Sequence, residues 1–482
     1  MSRTSHAERR PEVRRRPPVV LALAVGVCLP LAVVTTPASA AASDAYTWRT
    51  GVRLSSPAPS SVPGGIVLSR TGSRVATTWA GVYAGWRVIW VATSTDGGVR
   101  WRAPVEVSRS SENTDPSIVS SADGTRLAVV WQRRFNGAVQ VATSSDGGRT
   151  WRAPVDLTTP PTEPSSPRII SSVDGRRLTA AWLDEGEYSN GPVTIQTRTS
   201  TDAGVTWGPA KTLDTATFDP AWTESPIELS GSADGSVVAL AWRFVGSPQD
   251  QPGPVQVAVS SNGGGTWGPA SALTAPGDTV ASVQVSVAGD GSAVAVGWTG
   301  WSGAEVAALV RTSADGGATW TAPARLSPSG RDVRALALAG ARTSDRVSAV
   351  WLTQVGAQQV VQGVGSTNGG VAWSAVRTVA SWKYTQFKQA PGLQVALSDD
   401  GRRVGVAWTR RISGKWAVQA VTSVTAGRTW SPARTLSDLS AEAYHDRIGM
   451  SGNGKRVAVQ WMRYPTNSHD RFTIRVATGR HR

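Results

Sequence analysis

The sequence predicts an all-β fold: eight four-stranded antiparallel blades set in a ring, an eight-bladed β-propeller closed by an N-terminal strand that joins the last blade. Three observations predict it. Tryptophans fall into two columns of eight. Turn signals recur at short intervals between runs of Val, Ile, Leu and Ala. The two ends of the chain carry complementary parts of one repeat.

The first column is Trp48, Trp101, Trp151, Trp207, Trp267, Trp320, Trp373 and Trp430. The second is Trp79, Trp131, Trp182, Trp242, Trp298, Trp351, Trp408 and Trp461. Steps of fifty to sixty residues within each column mark a repeat architecture. One unit, residues 116–158, reads PSIVSS, ADG, TRLAVVWQ, RRFNG, AVQVATS, SDGGRT and WRAPVDLT. This is four strands separated by turns and one loop. The second strand, as at Leu127–Trp131, is almost wholly apolar, as a strand covered on both faces must be. No stretch beyond residue 40 sustains a 3.6-residue apolar period, so few helices are expected.

The ends complete the ring. Residues 47–55 (TWRTGVRLS) match a fourth strand, and residues 472–478 (FTIRVAT) match a third. Pairing them removes the exposed sheet edges. The blades are expected near 62–109, 114–158, 165–214, 225–273, 281–327, 333–379, 391–437, and 446–478 plus 46–55.

Between third and fourth strands stands S-x-D-x-G-x-x-W, with Asp96, Asp146, Asp202 and Asp315 in the acidic place. Asn262, Asn368 and Thr425 replace it in three further copies. The chemistry is that of a turn. Asp or Asn accepts backbone N–H groups just ahead, glycine allows a positive φ, and the indole covers apolar surface and can use its N–H as a donor. These residues are read as structural, since a catalytic acid is not needed in many copies around a ring. Asp123-Gly124, Asp174-Gly175, Asp234-Gly235, Asp290-Gly291 and Asp400-Gly401, with Asn453-Gly454, mark tight hairpins between first and second strands. Both kinds of turn are expected on one face of the disc, leaving the other face to variable loops.

This motif is the Asp box, or bacterial neuraminidase (BNR) repeat. The chain resembles the sialidase superfamily and related Asp-box propellers over residues 46–478. That resemblance implies a site near the axis on the loop face, and in sialidases three arginines, a Tyr–Glu nucleophile pair and an Asp acid/base. The chain departs from it. It lacks the Arg-Ile-Pro string, the nearest being Arg168-Ile169-Ile170 and Arg447-Ile448-Gly449, and it has eight blades where sialidases have six. Candidate ligand-binding residues are Arg168, Arg334 and Arg447, at the starts of first strands, because guanidinium groups fit a carboxylate. Candidate catalytic residues are Tyr444, Asp446, Glu442, Asp184 and Glu187, with Glu163, Glu185, Tyr188, Glu224 and His445 nearby. Two carboxyls roughly 5–10 Å apart can hydrolyse a glycoside. Tyr83, Trp86, Trp301, Trp416 and Tyr464 add aromatic rings to the loop face.

Residues 1–40 are expected to be a signal peptide: Arg14, Arg15 and Arg16, an apolar run from Val19 to Val34, then Ala38-Ser39-Ala40. Cleavage there would remove Cys28, the sole cysteine, leaving no disulfide and no cysteine-bound metal. The net charge of +15 would fall to +11, since six Arg and two Glu leave with the leader. Such a surface favours anionic partners. There is no basic run dense enough for specific nucleic-acid binding. The expectation is an extracellular, monomeric protein without cofactor or metal. It recognises a glycan or other anionic polymer on the loop face; the alternatives are a glycosidase or lyase acting on acidic sugars, and a protein-binding scaffold.

Overall fold

The structure, a computed structural model, describes residues 46–481 apart from 57, 59–60, 109–111, 135–136, 160–161, 186–191, 217–226, 245–252, 384–391 and 466–470; the side chains of His445 and Pro465 are also outside it. The described residues belong to one compact unit, Pro37–Arg482. They contain strands and no α-helix, and so no helix able to cross a membrane.

Each blade is an antiparallel sheet with its strands in chain order. Blade 1 runs Ser61–Leu68, Val75–Tyr83, Trp86–Ser94 and Val105–Glu106; blades 2 to 7 repeat this plan from Asn113 to Thr435. Blade 8 takes Ala441–Met450, Arg456–Pro465 and Thr473–Arg480 from the C-terminus. Its fourth strand is N-terminal, with Thr47↔Arg480 and Trp48↔Gly479, then Val52↔Val476 and Arg53↔Arg475. First strands of successive blades lie against one another, blade 8 against blade 1 included, so they line the axis of a closed ring.

The second-column tryptophans explain the layering. All eight are at most 2 % exposed and form the middle of the sandwich between neighbouring sheets. Trp131 lies with Ala76 and Ile89 of blade 1, and Trp461 with Ala407 and Val418 of blade 7. Some indoles are also tethered: Trp131 Nε1 donates to Asn113 Oδ1 at 3.0 Å, and Trp242 Nε1 to Asp214 Oδ2 at 2.8 Å. The first-column indoles differ from expectation. Nε1 of Trp101, Trp151, Trp207, Trp267, Trp320, Trp373 and Trp430 has no partner among the described residues. Their contribution is apolar cover.

Fourth strands are broken ladders, and in six blades a proline stands in the gap. In blade 1, Arg102 N–H donates to Thr93 O and Val107 N–H to Ile89 O, both at 2.9 Å. Pro104 between them has no N–H to give. A hydroxyl then closes the edge: Ser108 Oγ accepts Ile89 N–H at 2.9 Å. Thr158, Thr274, Ser327 and Ser437 do the same in blades 2, 4, 5 and 7. Ser55 does so for Ile474, which makes residues 47–55 a full structural equivalent of a fourth strand.

The Asp-box face is sewn together by backbone. One hydrogen bond crosses each blade junction: Arg70→Ala122→Val173→Ala233→Gly289→Ser344, then Thr343→Asp399→Gly452, and Asn453 back to Arg70, at 2.5–3.2 Å. Behind this circle lies an axial cavity of about 380 Å³ lined by all eight blades. Arg342 of blade 6 spans it, with Nη2 donating to Ser120 O, Ser171 O and Ser172 O at 3.1–3.4 Å. The channel is therefore obstructed at this end.

Candidate functional site

The Asp boxes are turns whose oxygens are spent locally. In blade 2, Ser144 Oγ donates to Asp146 Oδ1 at 2.9 Å and accepts Gly148 N–H at 2.9 Å. Asp146 in turn accepts Arg149 N–H and Thr150 N–H, and the Thr150 hydroxyl at 2.6 Å. Asp96, Asp202 and Asp315 make comparable sets, and Asn262 and Asn368 each accept the matching N–H through Oδ1. The Thr206 and Thr319 hydroxyls and backbone amides hold the carboxyls of Asp202 and Asp315 down to about 2. Gly148 has φ +82°, and a Cβ there would stand 2.7 Å from Thr93 Cγ2 of the preceding blade. The motif thus closes its own turn and docks it on a neighbour.

On the opposite face, first strands enter through bulges in six blades among the described residues, for example between Thr114 and Ser117, Ser165 and Arg168, and Tyr444 and Arg447. Bulges bend a strand and re-aim its side chains. Just inside them lies one equivalent position per blade, opposite the residue that precedes the second-column Trp. It holds Gly65, Ser117, Arg168, Glu228, Gln284, Ala337, Gln394 and Arg447 in blades 1 to 8.

Two of the three arginines expected from sequence therefore share a layer at the axis. Burial raises the Glu228 carboxyl above its ordinary range, and the charges of Arg168 and Arg447 oppose that. Arg447 also feels Asp446, Arg168, Glu228 and Asp115. The third arginine does not join them. Arg334 is the extra residue of the blade 6 bulge and is exposed, with Nη2 3.5 Å from Gln354 Oε1. Glu228 was not singled out from sequence. Aligning the first strands on the tryptophans would have put it in the column of Arg168 and Arg447.

The blade 8 candidates separate into two environments. Asp446 is 1 % exposed. Its Oδ1 accepts the Thr409 hydroxyl at 2.8 Å, while Oδ2 has no partner among the described residues. Burial lifts its carboxyl to about 6, against the pull of that hydrogen bond. Tyr444 and Glu442 face the hairpin of blade 7 between Val404–Ile412 and Lys415–Ser423. The Tyr444 ring lies 6.1 Å from that of Trp416, Arg411 Cζ is 5.7 Å from the Trp416 ring, and Glu442 Oε2 accepts Trp416 N–H. Burial and then the Glu442 charge raise the Tyr444 phenol, with Arg411 in opposition. Beside this group Tyr464 stacks on Phe472 at 4.9 Å, and Trp382 stacks on Trp408 at 5.8 Å under Arg410.

On blade 3, Asp184, Glu185 and Glu163 lie close enough for the last two to interact. Glu185 N–H donates to Glu163 O, and its carboxyl is raised by burial, with smaller contributions from Glu163 and Asp184. Glu187, Tyr188 and Glu224 lie outside the described residues. Tyr83, Trp86 and Trp301 are 50–60 % exposed at the hairpin tips of blades 1 and 5. Among the described residues no three His, Cys, Asp or Glu side chains converge as metal ligands would.

Eight blades, seven of them carrying an Asp-box turn, with charged and aromatic groups gathered on the other face, define a sialidase-like Asp-box propeller. The chain belongs to the BNR repeat-like domain family, whose two overlapping matches, residues 38–225 and 88–297, together span more than half of it. No curated protein sequence matches the chain. Among solved structures it is similar to a PL25 polysaccharide lyase, an ulvan lyase bound to -[GlcA(1-4)Rha3S]-, at 11 % identity (81 % of this chain, 98 % of that one, TM-score 0.47). It is also similar to an α-L-arabinanase of Penicillium chrysogenum complexed with arabinobiose, at 13 % identity (89 % and 98 %, TM-score 0.39). A third is a mutant of NanB sialidase from Streptococcus pneumoniae, at 14 % identity (92 % and 70 %, TM-score 0.33).

Proposed function

We propose that residues 1–40 export the chain and that the propeller recognises extracellular glycans, or other anionic ligands, on the face opposite its Asp boxes. The observation that carries this reading is the blade 7–8 group. Trp416 and Tyr444 offer ring faces to a sugar, Arg411 offers donors to an acidic substituent, and Glu442 offers an acceptor. The axial layer fits recognition of an acidic group: Arg168 and Arg447 flank Glu228, and the Asp446 carboxyl is closed off against Thr409.

A glycan array probed with the mature protein tests the proposal. Binding to acidic glycans that falls at least tenfold in Trp416→Ala supports it. A second reading, glycoside cleavage, has the Tyr444–Glu442 pair in its favour. Turnover of a fluorogenic glycoside that vanishes in Tyr444→Phe would establish that reading and overturn the first.

A further inference from the structure

The Asp-box face is asymmetric in charge. Over blades 7, 8, 1, 2 and 3 its turns expose Arg402, Lys455, Arg100, Arg149 and Arg176 in unbroken succession. Over blades 4, 5 and 6 the turns carry Asp234, Asp290, Asp315 and Asp345, and none of their described residues is an exposed Lys or Arg. The acidic residues within the basic arc do not cancel it fully. Asp96, Asp146 and Asp202 accept donors of their own turns at 2.6–3.1 Å, and exposed Arg177 and Arg428 add further positive charge to the same turns.

The arc also has relief. Between blades 2 and 3 a cleft of about 360 Å³ is lined by Arg126, Arg152 and Arg176, together with Thr143, Ser144 and Thr201 and one carboxylate, Asp202, whose oxygens accept from Ser200 and Thr206. Arg126 Nη1 donates to Asp174 O, which fixes one guanidinium in the wall. Arg152 and Arg176 have no side-chain hydrogen bond or ion pair among the described residues. Two guanidinium groups that make no side-chain hydrogen bond among the described residues, Arg176 also facing the Asp174 charge, stand beside a fixed third and outnumber the one carboxylate of the cleft, which suits a tetrahedral oxyanion.

We propose that this crescent is a second binding surface, for a flexible linear polyanion whose charge sits on sulfate or phosphate groups, with one such group seated in the Arg126–Arg152–Arg176 cleft. The path is an arc on a disc. A flexible chain can follow it, whereas duplex DNA is stiff over about 50 nm and cannot. Binding here leaves the loop face turned away and free for its own ligand.

The test is fluorescence polarisation of the full chain with labelled heparin and, separately, labelled polyphosphate, over a range of salt. The expected result is binding that weakens steeply with salt, as counterion release requires. The double variant Arg149→Glu, Arg176→Glu should lose at least tenfold in affinity and show a salt slope smaller by about two. A matched reversal at the rim of blade 6, Arg377→Glu with Lys383→Glu, should bind as the parent does. Preference for heparin assigns sulfate and preference for polyphosphate assigns phosphate; either supports the surface. Three results overturn it: no binding to either probe, equal loss in both double variants, or duplex DNA binding as tightly as heparin. Trp416→Ala should leave polyanion binding intact, so failure of the loop-face reading and failure of this one are told apart.

Discussion

Two kinds of aspartate stand in this molecule, and their surroundings assign them opposite behaviour. Box carboxyls such as Asp202 and Asp315 are held at about 2 by hydroxyl and amide donors. A folded-state value below the unfolded one adds stability above about pH 4, which is lost as pH falls toward 2. Replacing Asp146 by Ala is expected to cost about 1 kcal/mol at neutral pH, and by Asn much less, since Asn262 and Asn368 already fill the same turn. Urea unfolding of the two variants checks this. Asp446 runs the other way. Its value of about 6 lies above the unfolded one, so the fold gains from it below about pH 4 and loses that gain as pH rises through 6. Asp446→Asn should therefore be near neutral at pH 3 and stabilising at pH 8, by up to roughly 3 kcal/mol. A difference from the parent that is the same at both pH values would contradict the burial account.

At the scale of the blade, the inter-sheet indole is the main apolar contributor. Trp131→Ala should destabilise by about 3–5 kcal/mol, and Trp131→Phe by less while removing the indole donor to Asn113 Oδ1; thermal melts of both measure it. An arginine before the second strand does quieter work. Arg126 packs its stem on Gly175 of the next blade and donates to Asp174 O at 3.1 Å. Arg403 and Arg456 repeat that bridge to Asn453 O and Gly97 O. The tryptophan columns and Asp boxes were legible in the sequence because each repeats with its own spacing and its own turn chemistry. The terminal Ser and Thr latches, the arginine bridges and Glu228 were equally present but escaped notice. Each depends on which residue of a neighbouring strand or blade it meets, and that register becomes visible when the strands are paired. The prolines at 104, 154, 209, 269, 323 and 432 were visible too. Their effect, a fourth strand with a gap in its ladder, follows from the missing N–H rather than from any hydrophobic pattern.

Taken whole, the molecule is a ring whose ends are one sheet, with turns on one face and variable loops on the other. The segment 47–55, with its short strands Thr47–Trp48 and Val52–Arg53, carries Trp48 and Leu54 onto the last blade and satisfies the edge that Thr473–Arg480 would otherwise expose. Both proposed surfaces inherit their geometry from that closure, since Arg447 and Lys455 sit on blade 8 beside blade 1. The most direct test places cysteines at the facing positions Val52 and Val476 (Val52→Cys, Val476→Cys) in a chain whose native thiol is confined to Cys28. Under mild oxidation the account predicts a quantitative 52–476 cross-link by peptide mass spectrometry and a higher melting temperature. Free thiols at both positions in the folded protein would contradict it.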